Sequence, residues 1–183
     1  MYRIIDFAHK VLKEHLKETD NAVDATCGNG FDTLFLATYL SKGKVFAFDI
    51  QETAIKNTKA LLHQAKLSNV YFFETSNELI TLTISDPFEA VIFNLGYLPQ
   101  GDKTITTKAE TTMKSLESLL EQSKINKNLL IVLVVYVGHS EGLNESNELL
   151  SYTKALSNKE FLVTKFENFN RNQSPYVITI KHI

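Results

Sequence analysis

The chain has 183 residues, 44% of them hydrophobic, enough to bury one core, and sets the expectation of a single domain over 1–183. A formal net charge of -2 excludes a surface that grips nucleic acid indiscriminately, because such binding runs on Lys and Arg neutralising phosphates; any RNA contact is expected to be a local patch. The lone Cys27 excludes an internal disulfide and a cysteine zinc cluster, and the five histidines fit no metal motif. With no signal-peptide pattern and no apolar run of membrane-spanning length, the expectation is a metal-free cytoplasmic protein without a membrane segment.

In chain order, residues 4–16 place Ile5, Ala8, Val11 and Leu12 at helical spacing, which predicts a helix lying over a sheet. A strand follows at Ala22. Apolar strand-like runs recur at 44–50, 70–74, 90–95 and 129–137, and helix-like segments fill 31–41, 52–67, 106–125 and 145–157. Such alternation predicts an α/β fold with a mostly parallel sheet and helices on both faces. The runs Val91-Ile92-Phe93 and Leu129-Leu130-Ile131-Val132-Leu133-Val134-Val135 are continuously apolar, as strands covered on both sides must be, and should be central. Residues 161–166 and 176–180 have no helix between them and predict a closing hairpin.

The first strand runs through Asp24 into Cys27-Gly28-Asn29-Gly30 and a helix from Phe31. Two glycines there let backbone N–H groups approach a ligand, and the helix offers it a positive N-terminus. The third glycine of a dinucleotide fingerprint is absent, since the pattern is Gly28-x-Gly30-x-x-Thr33. Asp49 ends the next apolar run, where a carboxylate suits ribose hydroxyls. Asp32 and Thr33 fall in the first helical turn, either capping it or touching the ligand. Cys27 is expected to pack beside the loop.

Five strands with intervening helices and a final hairpin resemble the class I S-adenosylmethionine (SAM) methyltransferases, a Rossmann-like fold. The resemblance implies a seven-stranded sheet of order 3-2-1-4-5-7-6 with the last strand antiparallel. It also implies that Asp24, Gly28, Asn29, Gly30 and Asp49 cradle SAM, with Asp32 and Thr33 beside them, Gln51, Ser76 and Asn77 near the adenosine, and Asn94 at the cofactor's edge as well. Where the family commonly carries a histidine after strand three, this chain has Ser76-Asn77-Glu78, and Asn77 offers an amide to the adenine edge.

A second constellation, Phe93-Asn94-Leu95-Gly96-Tyr97-Leu98-Pro99, ends strand four, where an open parallel sheet places its ligand crevice. It is similar to the Asn-Pro-Pro-Tyr motif of methyltransferases acting on amino groups, with Asn94 and Tyr97 in matching places. An amine nucleophile needs acceptors for its N–H bonds, which an Asn oxygen and a backbone carbonyl supply; Tyr97 then stacks on a planar substrate or shields charge. His139, after strand five, is a candidate to favour the neutral amine.

Together, the segments 24–33, 48–51, 94–99 and 136–139 resemble one bacterial family once labelled rRNA methylase. Its members convert 5-aminomethyl-2-thiouridine at the tRNA wobble position to the methylaminomethyl form. The resemblance implies direct in-line transfer to an exocyclic amine of the tRNA anticodon stem-loop, with Asn94, Tyr97 and His139 as catalytic residues. Lys103, Lys108 and Lys114 are read as an RNA-facing patch, and a homodimer is expected because pairing widens a small RNA-binding surface. The alternatives are a SAM-dependent methyltransferase of rRNA or of another amino or amide acceptor, an NAD-dependent oxidoreductase, or a non-catalytic nucleotide-binding module.

Overall fold

The computed structural model describes residues 3–96, 109–137, 140–171 and 174–183. Its centre is one seven-stranded sheet of order β3-β2-β1-β4-β5-β7-β6. The strands are β1 (Ala22–Asp24), β2 (Val45–Asp49), β3 (Val70–Glu74), β4 (Ala90–Leu95), β5 (Leu130–Val135), β6 (Phe161–Glu167) and β7 (Tyr176–His182). The first five are parallel, while β7 runs antiparallel between β5 and β6. This is the sheet that the class I methyltransferase resemblance implied.

Strand alternation divides the core between two faces. Val91, Phe93 and Leu95 of β4, with Ile131, Leu133 and Val135 of β5, pack under α5 (Ala109–Ile125) and α6 (Ser140–Ala155). Ala90 and Ile92, with Leu130, Val132 and Val134, pack under α1 (Ile4–His15), α2 (Phe31–Tyr39) and α3 (Glu52–Gln64). Both inner strands are buried along nearly their whole length, which explains their unbroken apolar sequence. The same count of two sends Asp24, Asn94 and Tyr136 toward α1 and α2, at the carboxyl ends of β1, β4 and β5.

Several elements differ from the sequence expectation by more than fraying at an end. Helix α3 stops at Gln64 rather than 67, because Lys66 turns to a left-handed φ of 57°. A 3-10 turn at Asn77–Leu79 and the four-residue α4 (Ile80–Thr83) stand where no helix was expected, anchored by the buried Ile80. Helix α6 begins at Ser140 and runs through Gly142, ahead of the helix-like segment expected from 145.

Candidate active site

The turn after β1 is tight because Gly30 N–H donates to the Cys27 carbonyl at 2.7 Å, with Gly28 and Gly30 at φ 52° and 85°. Both are left-handed conformations that glycine adopts without steric cost. Two neighbours fix the loop. The Asp49 carboxylate accepts from Gly28 N–H and from Gln51 N–H, each at 2.9 Å. From α3, the Thr58 hydroxyl donates to the Gly28 carbonyl at 3.1 Å and the Asn57 amide to Asn29 Oδ1 at 3.2 Å. Burial raises the Asp49 carboxyl above its ordinary range against the pull of those N–H donors. Each of its oxygens keeps lone-pair capacity for a further donor.

Asp24 and Thr33 support this loop from behind. Both are fully buried, and the Thr33 hydroxyl donates to Asp24 Oδ2 at 2.5 Å while Thr26 N–H donates to Oδ1 at 3.2 Å. Burial, reinforced by the nearby Asp32 charge, pushes the Asp24 carboxyl up to about 8. Burial likewise drives the Cys27 thiol far above its ordinary value, which leaves it a packing group with little thiolate.

Asp32 does not cap its helix with a side-chain bond of the kind its position suggested. Its Oδ1 lies 2.6 Å from His9 Nε2 of α1, and its Oδ2 accepts from Asn94 Nδ2 at 2.9 Å. The His9 ring stacks on Phe35 with centroids 3.9 Å apart and planes 1° from parallel. Asn94 is held at its backbone too: its N–H donates to Thr26 Oγ1 at 2.8 Å, and that hydroxyl donates back to the Asn94 carbonyl at 3.3 Å. The partly exposed Tyr136 shares this face, and burial, helped by the Asp32 charge, raises its phenol. Gly96 lies over it; a Cβ there would stand 3.8 Å from Tyr136 Cβ.

At the other end of the crevice Ser76 leads into the 3-10 turn. The Asn77 carbonyl accepts from Ser115 of α5 at 2.9 Å, whereas Asn77 Oδ1 is buried without a partner among the described residues. An orphaned acceptor of this kind calls for an external donor. Asp24, Gly28, Asn29, Gly30, Asp32, Thr33, Asp49 and Asn94 are thus brought together, with Gln51 tied to them through Asp49. Tyr97, His139, Lys103 and Lys108 lie outside the described residues. Lys114 is no free cation: it pairs with Glu110 at 2.8 Å and faces Glu78 at 3.9 Å. Among the described residues no group of three His, Cys, Asp or Glu side chains gathers to hold a metal ion, and no helix is long and apolar enough to cross a membrane.

Sequence reading missed His9, Thr26, Thr58 and Tyr136. Only Tyr136 had a usable signal, since it falls two positions beyond Val134 on the face that carries Asn94.

The model of the rRNA methylase family matches residues 45–181. The chain belongs to this family. It is similar to the chloroplastic tRNA (mnm(5)s(2)U34)-methyltransferase of Arabidopsis thaliana, 33% identical over 185 residues that span 94% of this chain and 67% of the relative. Among solved structures it is similar to a Clostridium thermocellum protein carrying the rRNA-methylase name, with TM-score 0.92 and 36% identity over 100% of this chain and 99% of that one. It is also similar to a Streptococcus mutans protein described as a methyltransferase and solved in complex with SAH, with TM-score 0.87, 32% identity, and 100% and 99% coverage.

Proposed function

We propose that this SAM-dependent methyltransferase methylates the primary amine of 5-aminomethyl-2-thiouridine at the wobble position of tRNA, bound through its anticodon stem-loop. The observation that carries the reading is Asn94, a polar side chain at the carboxyl end of a buried central strand, beside the glycine turn. The family match and the Arabidopsis relative support the same choice.

The crevice fits the donor. The Gly28 and Gly30 turn provides a close-approach backbone cradle, Asp49 keeps acceptor capacity for ribose hydroxyls, and the orphaned Asn77 Oδ1 suits an exocyclic adenine amine. When bound, SAM supplies a sulfonium-activated methyl group, which the acceptor nitrogen's lone pair takes as the C–S bonding pair returns to sulfur. Asn94 Oδ1 accepts an N–H of the neutral acceptor amine and so aims its lone pair. The secondary ammonium formed releases one proton to solvent.

Mass spectrometry of tRNA nucleosides from a deletion strain tests the substrate. Aminomethyl-thiouridine should accumulate at the expense of the methylaminomethyl form, and an unchanged nucleoside profile would refute the assignment. Loss of a ribosomal RNA methyl mark instead would move the activity to the substrate named in the family description. With purified protein, Asn94→Ala should lower kcat by about 100-fold while affinity for SAH stays within a few fold, because the side chain acts on the acceptor.

A further inference from the structure

The Asn94 side chain is held in a single orientation by groups from two helices that precede it in the chain by dozens of residues. The Asn94 amide donates to Asp32 Oδ2 through Nδ2, so Oδ1 faces the opposite way. Asp32 cannot swing aside, because its second oxygen is engaged by His9 Nε2 at 2.6 Å and its side chain is 6% exposed. His9 in turn is pinned by Phe35, and its helix is packed on the sheet through Ile4, Ala8 and Leu12. With the Asn94 backbone N–H and carbonyl both on Thr26, every hydrogen-bonding atom of this residue is engaged except Oδ1, which accepts no bond among the described residues.

We propose that His9 and Asp32 form a positioning clamp that fixes the Asn94 carboxamide with its oxygen toward the acceptor, so that the site admits only a nucleophile that donates hydrogen bonds. This rests on the reading of Asn94 given above, and it adds two residues and a selection rule. An amine or amide N–H satisfies the fixed acceptor, whereas a group with only lone pairs meets oxygen with oxygen and is rejected. Neither His9 nor Asp32 touches the reacting atoms in this arrangement. Their effect is confined to the orientation of one amide, a displacement of about 1 Å being enough to cost roughly 100-fold in rate.

Two measurements on the full chain test the clamp separately from the substrate assignment. The first needs no RNA: in a ¹H–¹⁵N spectrum of the protein with SAH, the Asn94 side-chain amide should be shifted downfield and slowed in solvent exchange, and Asp32→Asn should abolish both effects. An Asn94 amide that exchanges freely in the unmutated protein overturns the proposal, whether or not the variants fold. The second is a kinetic double-mutant cycle with aminomethyl-thiouridine anticodon stem-loop as acceptor. His9→Ala should lower kcat by about 10- to 100-fold with KM for SAM within about twofold. His9→Gln, which retains a donor toward Asp32, should recover much of the loss. In an Asn94→Ala background, His9→Ala should cost almost nothing further, as expected for residues acting through one another. A loss equal in both backgrounds would assign His9 a merely structural role and overturn the clamp. If the unmutated enzyme leaves this acceptor unmethylated while the amide signature is present, the wobble-uridine reading fails and the clamp stands.

Discussion

Asp24 is a carboxyl enclosed by protein, and its titration is written into the pH dependence of stability. Its folded value of about 8 lies above the ordinary 3.8, with burial as the first cause and the Asp32 charge as the second. Below about pH 4 folded and unfolded chains both hold the proton, so the group makes no difference. Between about 4 and 8 the folded state keeps a proton that the unfolded chain has released, and stability falls as pH rises; above about 8 the full cost remains. Asp24→Asn removes this titration. Thermal melting between about pH 5 and pH 8.5 should therefore show the unmutated protein losing ground to the variant by several degrees, and parallel curves would refute the raised value. At this scale the sequence was partly legible. Asp24, Asp49 and Asn94 stand where apolar runs end, so strand parity and position mark them. His9 carries no such mark, because its partner Asp32 is 23 positions away and only the docking of α1 beside α2 brings them together.

Among the elements, the junction of β1 with α2 has the least room for change. Gly30 stands at φ 85°, and a Cβ built there would lie 2.9 Å from both Thr58 Oγ1 and Cγ2 and 3.0 Å from Thr58 Cα. Gly30→Ala should therefore cost at least about 1–2 kcal/mol, the left-handed penalty alone, and lower the melting temperature by several degrees. Because Thr58 also holds the Gly28 carbonyl, the clash pushes on the loop itself, and SAH affinity measured by calorimetry should fall about tenfold or more. Adding Thr58→Ala should recover only part of the stability, since the backbone contact and the φ remain. Melting and SAH binding indistinguishable from the unmutated protein would show that the loop tolerates a side chain. The strands were the most legible elements, because Val91-Ile92-Phe93 and the run ending at Val135 can be soaked in apolar surroundings on both sides only at the centre of a covered sheet. The 3-10 turn and α4 were not, being too short to show a helical period, and Gly142 disguised the start of α6 because a glycine is tolerated inside a helix that packing holds.

For the whole molecule, the charge balance limits how RNA can be held. Lysines and arginines number 19 against 21 acidic residues. Many of those cations are matched locally: Lys42 by Glu18, Lys44 by Asp86, Lys56 by Glu52, Lys124 by Glu121 and Lys165 by Glu167, with Lys114 between Glu110 and Glu78. A lysine already paired with a carboxylate gains less from a phosphate, so few counterions should be released on binding. Neutralising about three phosphates of a stem-loop gives a slope near −2 to −3 in log K against log salt, far shallower than for proteins that coat the backbone. Titrations of the anticodon stem-loop across salt concentrations should return that slope, and Lys103→Ala and Lys108→Ala should each flatten it by about one. A slope of about −6 or steeper would require a basic surface that these ion pairs do not provide. On the proposed wobble-uridine reading, so small a phosphate contribution leaves the affinity to contacts with the unpaired anticodon bases, where aromatic side chains can stack. Tyr136, part-exposed just past β5 and near the Asp32 charge, is the aromatic candidate on this face, so Tyr136→Ala should weaken stem-loop binding about tenfold or more at every salt concentration and leave the slope unchanged.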